Sequence, residues 1–341
     1  MKKLSLLSLF LLAAVAHATT TAYSPPVGGM TIPAAATTDN FVSVALTNPA
    51  AWVGTVASVS GSDITVSGTP GWGTNAFASG TYYYVRMLSG AQKGHFFSIT
   101  ANGSGDVTID NAGLNLSVIN PGDTMEIVQY WTLGTLYPAS QAGVSFTASP
   151  TVFSIKTQML FFDATSTGIN RSASAIYFFL NGHWRKVGDV SNSYDNTIIF
   201  PDTYFVQRNS TSATVLTCVG RVQPGFLGTI LTATSSVQND NFVALAYPVN
   251  VTLSSSGLAS SGFTATTSVF HINDEILWFD PSSTGINHSA NAIYFYYNNA
   301  WRKVGDVAND YGATVLPAGS GFIIRKAANG ATSAWVFSTG I

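Results

Sequence analysis

Two short strings, Asn181–Val190 (NGHWRKVGDV) and Asn298–Val307 (NNAWRKVGDV), set tryptophan, arginine and lysine side by side behind a run of aromatics. Asn-Gly between two apolar strands is a strong hairpin signal, because a type I′ turn needs positive φ at both central residues. Asn298-Asn299 is a weaker version of the same turn. A two-residue turn sets Phe179 opposite Trp184 and Tyr177 opposite Lys186, and strand alternation gathers all four on one face. In the second string that face carries Tyr294, Tyr296, Trp301 and Lys303. Left open, the candidate platform Tyr177, Trp184, Lys186, Tyr294, Tyr296, Trp301 and Lys303 would stack on sugar rings or on a partner's aromatics. Covered by a second sheet, the same rings would be core, with the lysine stems along its edge. The sequence leaves both arrangements open.

Charge narrows the chemistry. Only 9% of residues are charged, yet five charged positions match between the two regions: Asp163/Asp280, Arg185/Arg302, Lys186/Lys303, Asp189/Asp306 and Arg208/Arg325. An Asp–Arg clamp tying loops to a sheet within each region is the expected use, ahead of ligand binding. The string STGIN also recurs, at Ser166 and Ser283. Gly168 and Gly285 are expected to supply unusual backbone angles there, and Asn170 and Asn287 a local side-chain cap.

Catalytic signatures are missing. There is no G-x-S-x-G elbow, H-E-x-x-H, P-loop or G-x-G-x-x-G. No histidine is matched: His183 aligns with Ala300, His271 with Ser154 and His288 with Arg171. The adjacent acids Asp274 and Glu275 point to opposite faces of a strand, so they could not share one glycosidic bond. The expectation is no catalytic residue, no cofactor and no metal site. A hydrolase built on a dispersed acid pair is the remaining catalytic alternative. The one cysteine, Cys218, reads as a buried small hydrophobe, with an intermolecular bridge or a reactive thiol as alternatives.

These residues need a scaffold. Met1-Lys2-Lys3, an apolar run from Leu4 to Ala16 and Ala16-His17-Ala18 read as an export signal cleaved after Ala18. Removing Lys2 and Lys3 leaves 12 basic against 16 acidic residues, a net charge near −4 with no clustered basic patch for nucleic acid. No later run is long enough to form a transmembrane helix. An outer-membrane β-barrel is a further alternative, against which stand strands that look short and irregular for its spans. Arg185 and Arg302 lie 117 residues apart, and the same offset matches residues from about 146 to 209 without a gap. DNFVSVAL at Asp39 is echoed by DNFVALAY at Asp240, but the first copy carries about 84 extra residues. The expected organisation is a signal peptide at 1–18, an N-terminal segment of the first module at 19–51, a small β domain inserted at 52–130, the first repeat module at 131–235 and the second at 236–341. The insert holds five or six short strands, which suggest a small barrel. The expected fold is all-β, two copies of a β-sandwich or barrel-like module with a barrel-like domain inserted in the first.

Taken together, DNFV, GTVASVSGSDITVSG, YYVRMLSGAQKGHFFSIT, YWTLGTLYP, the two AIYF…WRKVGD hairpins, YFVQRN and GFIIRKA span the mature chain. With these motifs the chain resembles an exported β-rich family of Verrucomicrobia and related bacteria that has no assigned activity. The resemblance implies export and β architecture, and it names no site residue or ligand. The functional expectation is an exported, non-catalytic envelope or matrix protein, periplasmic, at the cell surface or extracellular. Polysaccharide or other envelope proteins are its expected partners. A carbohydrate-binding protein using the paired Tyr/Trp platforms is the alternative.

Overall fold

The computed structural model describes residues 26–80, 82–141, 145–338 and 340. The expected export signal at residues 1–18 lies outside them. The chain is nearly all β. Its one α-helix among the described residues is the single turn Leu133–Leu136, and no helix is long and apolar enough to cross a membrane.

Two five-stranded antiparallel sheets dominate. Sheet I has the order His183–Lys186, Ala175–Leu180, Thr157–Phe161, Phe205–Asn209, Asp39–Val42. Sheet II repeats that order with Ala300–Lys303, Ala292–Tyr297, Glu275–Trp278, Gly321–Lys326 and Asn239–Ala244. The hairpins form as their turns dictate. Asn181 and Gly182 have φ of 52° and 83°, and Asn298 and Asn299 have 49° and 56°. Phe179 pairs with Trp184 and Tyr177 with Lys186, and Tyr296 pairs with Trp301 and Tyr294 with Lys303.

Each large sheet is covered on both faces. One face of sheet I packs on a three-stranded sheet (Val27–Ala34, Thr214–Val222, Leu46–Thr47) and on the short helix, around Met159, Phe205 and Trp184. One face of sheet II packs on the pair Leu227–Leu231 and Ser333–Phe337, around Ile276, Phe322 and Trp301. The remaining faces meet each other through Leu160, Val206, Tyr204, Phe242, Leu277 and Ile323. Alternation sorts these contacts: Met159 and Leu160 are neighbours in one strand and lie in different cores.

Six strands, Ala50–Ser60, Asp63–Val66, Asp106–Ile109, Phe96–Asn102, Tyr83–Met87 and Thr124–Gln129, close into a barrel around Val85, Met87, Phe97, Met125 and Ile127. Closure leaves no exposed strand edge to pair with another chain.

Candidate functional site

The aromatic residues of the repeated hairpins are core. Trp184 is 0% and Trp301 1% exposed, Tyr177 and Tyr294 are buried, and Tyr296 is half-buried against the same cluster. The open platform is therefore not formed. The face that alternation assigned to Tyr177, Trp184, Tyr294, Tyr296 and Trp301 lies under the small sheets. Lys186 and Lys303 are half-buried at its margin. Cys218 sits in the same core as Trp184, and burial pushes its thiol up to about 11.

Three of the matched charge pairs, Asp163/Asp280, Asp189/Asp306 and Arg185/Arg302, organise loops. Asp163 accepts from Thr165 and Ser166, which hold its carboxyl down at about 2, and Asp280 accepts from Ser282. Asp189 accepts from Asn192, Tyr194 and Ser191, and Asp306 from Asn309 and Tyr311, so both lie below the usual carboxylate range. Arg185 donates to the Ser191 carbonyl at 3.0 Å and Arg302 to the Ala308 carbonyl at 2.9 Å. Arg208/Arg325 do something different. Their partners are Asp39 and Asp240, the first residues of the DNFV echo, and not the aspartates singled out from the sequence. Arg208 grips Asp39 at 2.6 and 3.0 Å, and Arg325 grips Asp240 at 2.7 and 3.1 Å. Two parallel N–H···O bonds per pair give a rigid fork.

Each fork is completed by a loop of the opposite sheet. The Asn287 N–H donates to Asp39 Oδ2 at 2.7 Å, and the Asn170 N–H donates to Asp240 Oδ2 at 2.7 Å. Arg208 donates to Asn287 Oδ1 at 2.9 Å, and Arg325 to Asn170 Oδ1 at 3.1 Å. The Asp39 N–H reaches the Gly285 carbonyl and the Asp240 N–H the Gly168 carbonyl, each at 3.0 Å. Asn170 and Asn287 are thus not local caps. They adopt φ of 52° and 56° and turn their amides across the joint. Asparagine tolerates this left-handed region better than most residues. Apolar contacts repeat the exchange: Phe41 stacks on Phe279 at 4.4 Å, and Phe162 on Phe242 at 4.3 Å.

The symmetry fails at Arg171, which reaches the carbonyls of Asp163 and Asp240 where its match His288 packs its ring on Phe41 and Phe279, and again at Tyr204. Tyr204 and Gly321 are matched positions, and a Cβ on Gly321 would lie 2.4 Å from Cγ of Tyr204. One ring fills the space that two could not share. Beside it, the Ala244 N–H donates to the Asp202 carbonyl at 2.9 Å, and the Ser43 N–H to the Gly319 carbonyl at 3.1 Å. The half-buried Asp202 carboxyl is pushed up to about 7 by desolvation.

A second ionic cluster docks the barrel. Arg86 and Glu126 pair directly across two barrel strands, and Arg221 reaches Glu126 from the three-stranded sheet with two bonds of 2.7 Å. All three are buried. Burial pushes the Glu126 carboxyl up, but the two guanidiniums overcome it and hold the group below its usual range. Arg86 also donates to the carbonyls of Pro224 and Phe226, on the segment joining the two halves of the chain. The only sequence signal for this cluster is a charge inside an apolar strand, Arg86 between Val85 and Met87 and Glu126 between Met125 and Ile127.

The acids Glu275, Asp274 and Asp195 and the unmatched His183 have partners of their own. Glu275 lies 4.0 Å from Arg325; burial raises its carboxyl, and Arg325 opposes that. Asp274 pairs with Lys326 in the sheet II core. A cleft of about 250 Å3 beside the short helix is lined by Thr132, Thr135, Tyr137, Asp195 and Asn196. Asp195 spends its oxygens on the Trp184 N–H, His183 Nδ1 and Ser193. Compared with protein-family models, curated proteins and solved structures, the chain matches none.

Proposed function

We propose that the protein is an exported, non-catalytic structural component of the cell envelope or extracellular matrix. The observation that carries this reading is where a charge-poor chain places its ions. The forks Asp39–Arg208 and Asp240–Arg325, each within one sheet, hold a loop of the other sheet, and Arg86–Glu126–Arg221 joins the barrel to the three-stranded sheet. Buried, multiply bonded ion pairs are costly to desolvate and costly to break, so they favour one arrangement over its alternatives. That suits a rigid spacer or adhesive unit. The polar remainder of the surface, rich in Ser, Thr and Asn, suits contact with other envelope components.

The test is retention of the protein on envelope fractions of its host and on a panel of insoluble polysaccharides. The structural reading predicts retention on the envelope fraction that persists after glycan competitors are added. Release by one glycan would overturn it in favour of carbohydrate binding at a surface other than the buried hairpin face. Turnover of a glycan, lost in a Glu275→Gln variant, would overturn it in favour of a hydrolase.

A further inference from the structure

We propose that the joint between sheets I and II can be exchanged between chains, with a second copy of this protein as partner, and that the barrel is the latch that keeps the pairing within one chain. The joint has the form of an isologous dimer interface. Donors and acceptors are reciprocal: Asn287 on Asp39 with Arg208, Asn170 on Asp240 with Arg325, Phe41 on Phe279 and Phe162 on Phe242. A surface complementary in this way pairs equally well with the same surface on another molecule, and exchange of such an element is a low-cost route to dimers.

The joint also specifies which half it takes. Tyr204 fills the hollow at Gly321. Two copies of the Tyr204 side would put ring against ring, and two copies of the Gly321 side would leave a void. Exchange therefore pairs sheet I of one chain with sheet II of the other, and two chains close on each other.

Only residues 223–226 separate strand Thr214–Val222 from strand Leu227–Leu231, so this segment decides whether exchange occurs. The barrel holds it. Arg86 donates to Pro224 O at 2.9 Å and Phe226 O at 3.1 Å, Lys93 sits 4.0 Å over the Phe226 ring, and the Gly228 N–H donates to Gly94 O at 2.9 Å. Tyr247 adds a bond from sheet II's side to Gly225 O at 2.9 Å. Removing Arg86 frees the segment while Glu126 keeps both bonds to Arg221.

The experiment uses two chains, one carrying Gly321→Tyr and the other Tyr204→Gly, each with Arg86→Met. They are refolded alone and mixed, and their masses are read by light scattering and native mass spectrometry. Each chain alone has a mismatched joint, and the mixture restores the match in trans. The expected result is a one-to-one heterodimer, enriched about tenfold or more over either homodimer. Mixed chains that stay monomeric overturn the exchangeable joint. Equal heterodimer yield with Arg86 intact overturns the latch. Should Arg86→Met prevent folding, Lys93→Ala with Tyr247→Phe loosens the same segment without touching the buried ions, and the same outcomes apply.

Discussion

Sheets I and II have the same strand order and the same hairpins, yet one matched pair in their cores differs in kind. In sheet I, Thr157 donates to Asn209 Oδ1 at 2.8 Å. In sheet II those positions are Asp274 and Lys326, a salt bridge with both side chains fully buried. The surrounding backbone accommodates either. Asp274 accepts from the Thr264 and Ala327 N–H groups, and Lys326 donates to the Gly262 carbonyl. The comparison teaches that a sheet frame fixes where a polar pair must sit and leaves its charge open. The penalty for breaking the pair is then set by which version is present.

The largest effect follows from that difference. Lys326→Met strands a buried carboxylate and should cost about 3–5 kcal/mol. Asn209→Ala strands only a hydroxyl and neighbouring dipoles and should cost about 1–3 kcal/mol. Denaturant unfolding of the two variants measures the gap, and equal losses would break the comparison.

The next effect concerns a second place where the sheets are not alike. Gly321→Ala drives a methyl into the Tyr204 ring and should cost about 1–3 kcal/mol. Tyr204→Ala should make the second substitution nearly neutral, which a double-mutant cycle reads directly. If the cost of Gly321→Ala is unchanged in the Tyr204→Ala background, the ring is not what excludes the methyl.

The tryptophans sharpen the comparison further. Trp184 donates to the Tyr137 carbonyl at 3.1 Å, whereas the buried Trp301 Nε1 has no partner among the described residues. Trp184→Phe should therefore cost about 1 kcal/mol more than Trp301→Phe, the worth of one hydrogen bond. A smaller cost at Trp184 would contradict the assigned bond.

A further effect depends on pH. The Asp202 carboxyl is raised in the folded protein to about 7, while its matched position, Gly319, carries no ionisable group. A raised acid binds its proton more tightly when folded, so the folded state is favoured at low pH. That contribution falls as pH rises from the ordinary carboxylate range through about 7 and is flat above it. Asp202→Asn should remove this slope and raise the melting temperature by a few degrees at pH 8 but not at pH 4. A slope unchanged in the variant would assign the pH dependence elsewhere.

Much of the fold was legible in the sequence, because local chemistry decides it. Asn181-Gly182 dictated a turn and hence a register, and the short alternating strands from GTVASV to GDTMEIV produced the barrel. The use of the hairpin face was not legible. Alternation says which residues share a face, and here both faces of each sheet are buried, so period two does not separate inside from outside. The near-continuous apolar run AIYFFL carried the missing signal, since strands covered on both sides read that way. The Arg208 and Arg325 partners were hidden for another reason. Asp39 lies 169 residues from Arg208, on the far side of the inserted barrel, and nothing local links them. The contact of Asn287 with Asp39 spans 248 residues and depends on the sheets facing each other.

The central claim is that each sheet's Asp–Arg fork is finished by a loop from the other sheet. Hydrogen–deuterium exchange on Asp39→Asn and Asp240→Asn tests it most directly. The account predicts that Asp39→Asn deprotects residues 283–288 and leaves 166–171 protected, and that Asp240→Asn does the reverse. Deprotection confined to the loop on the same sheet as the substitution would contradict it.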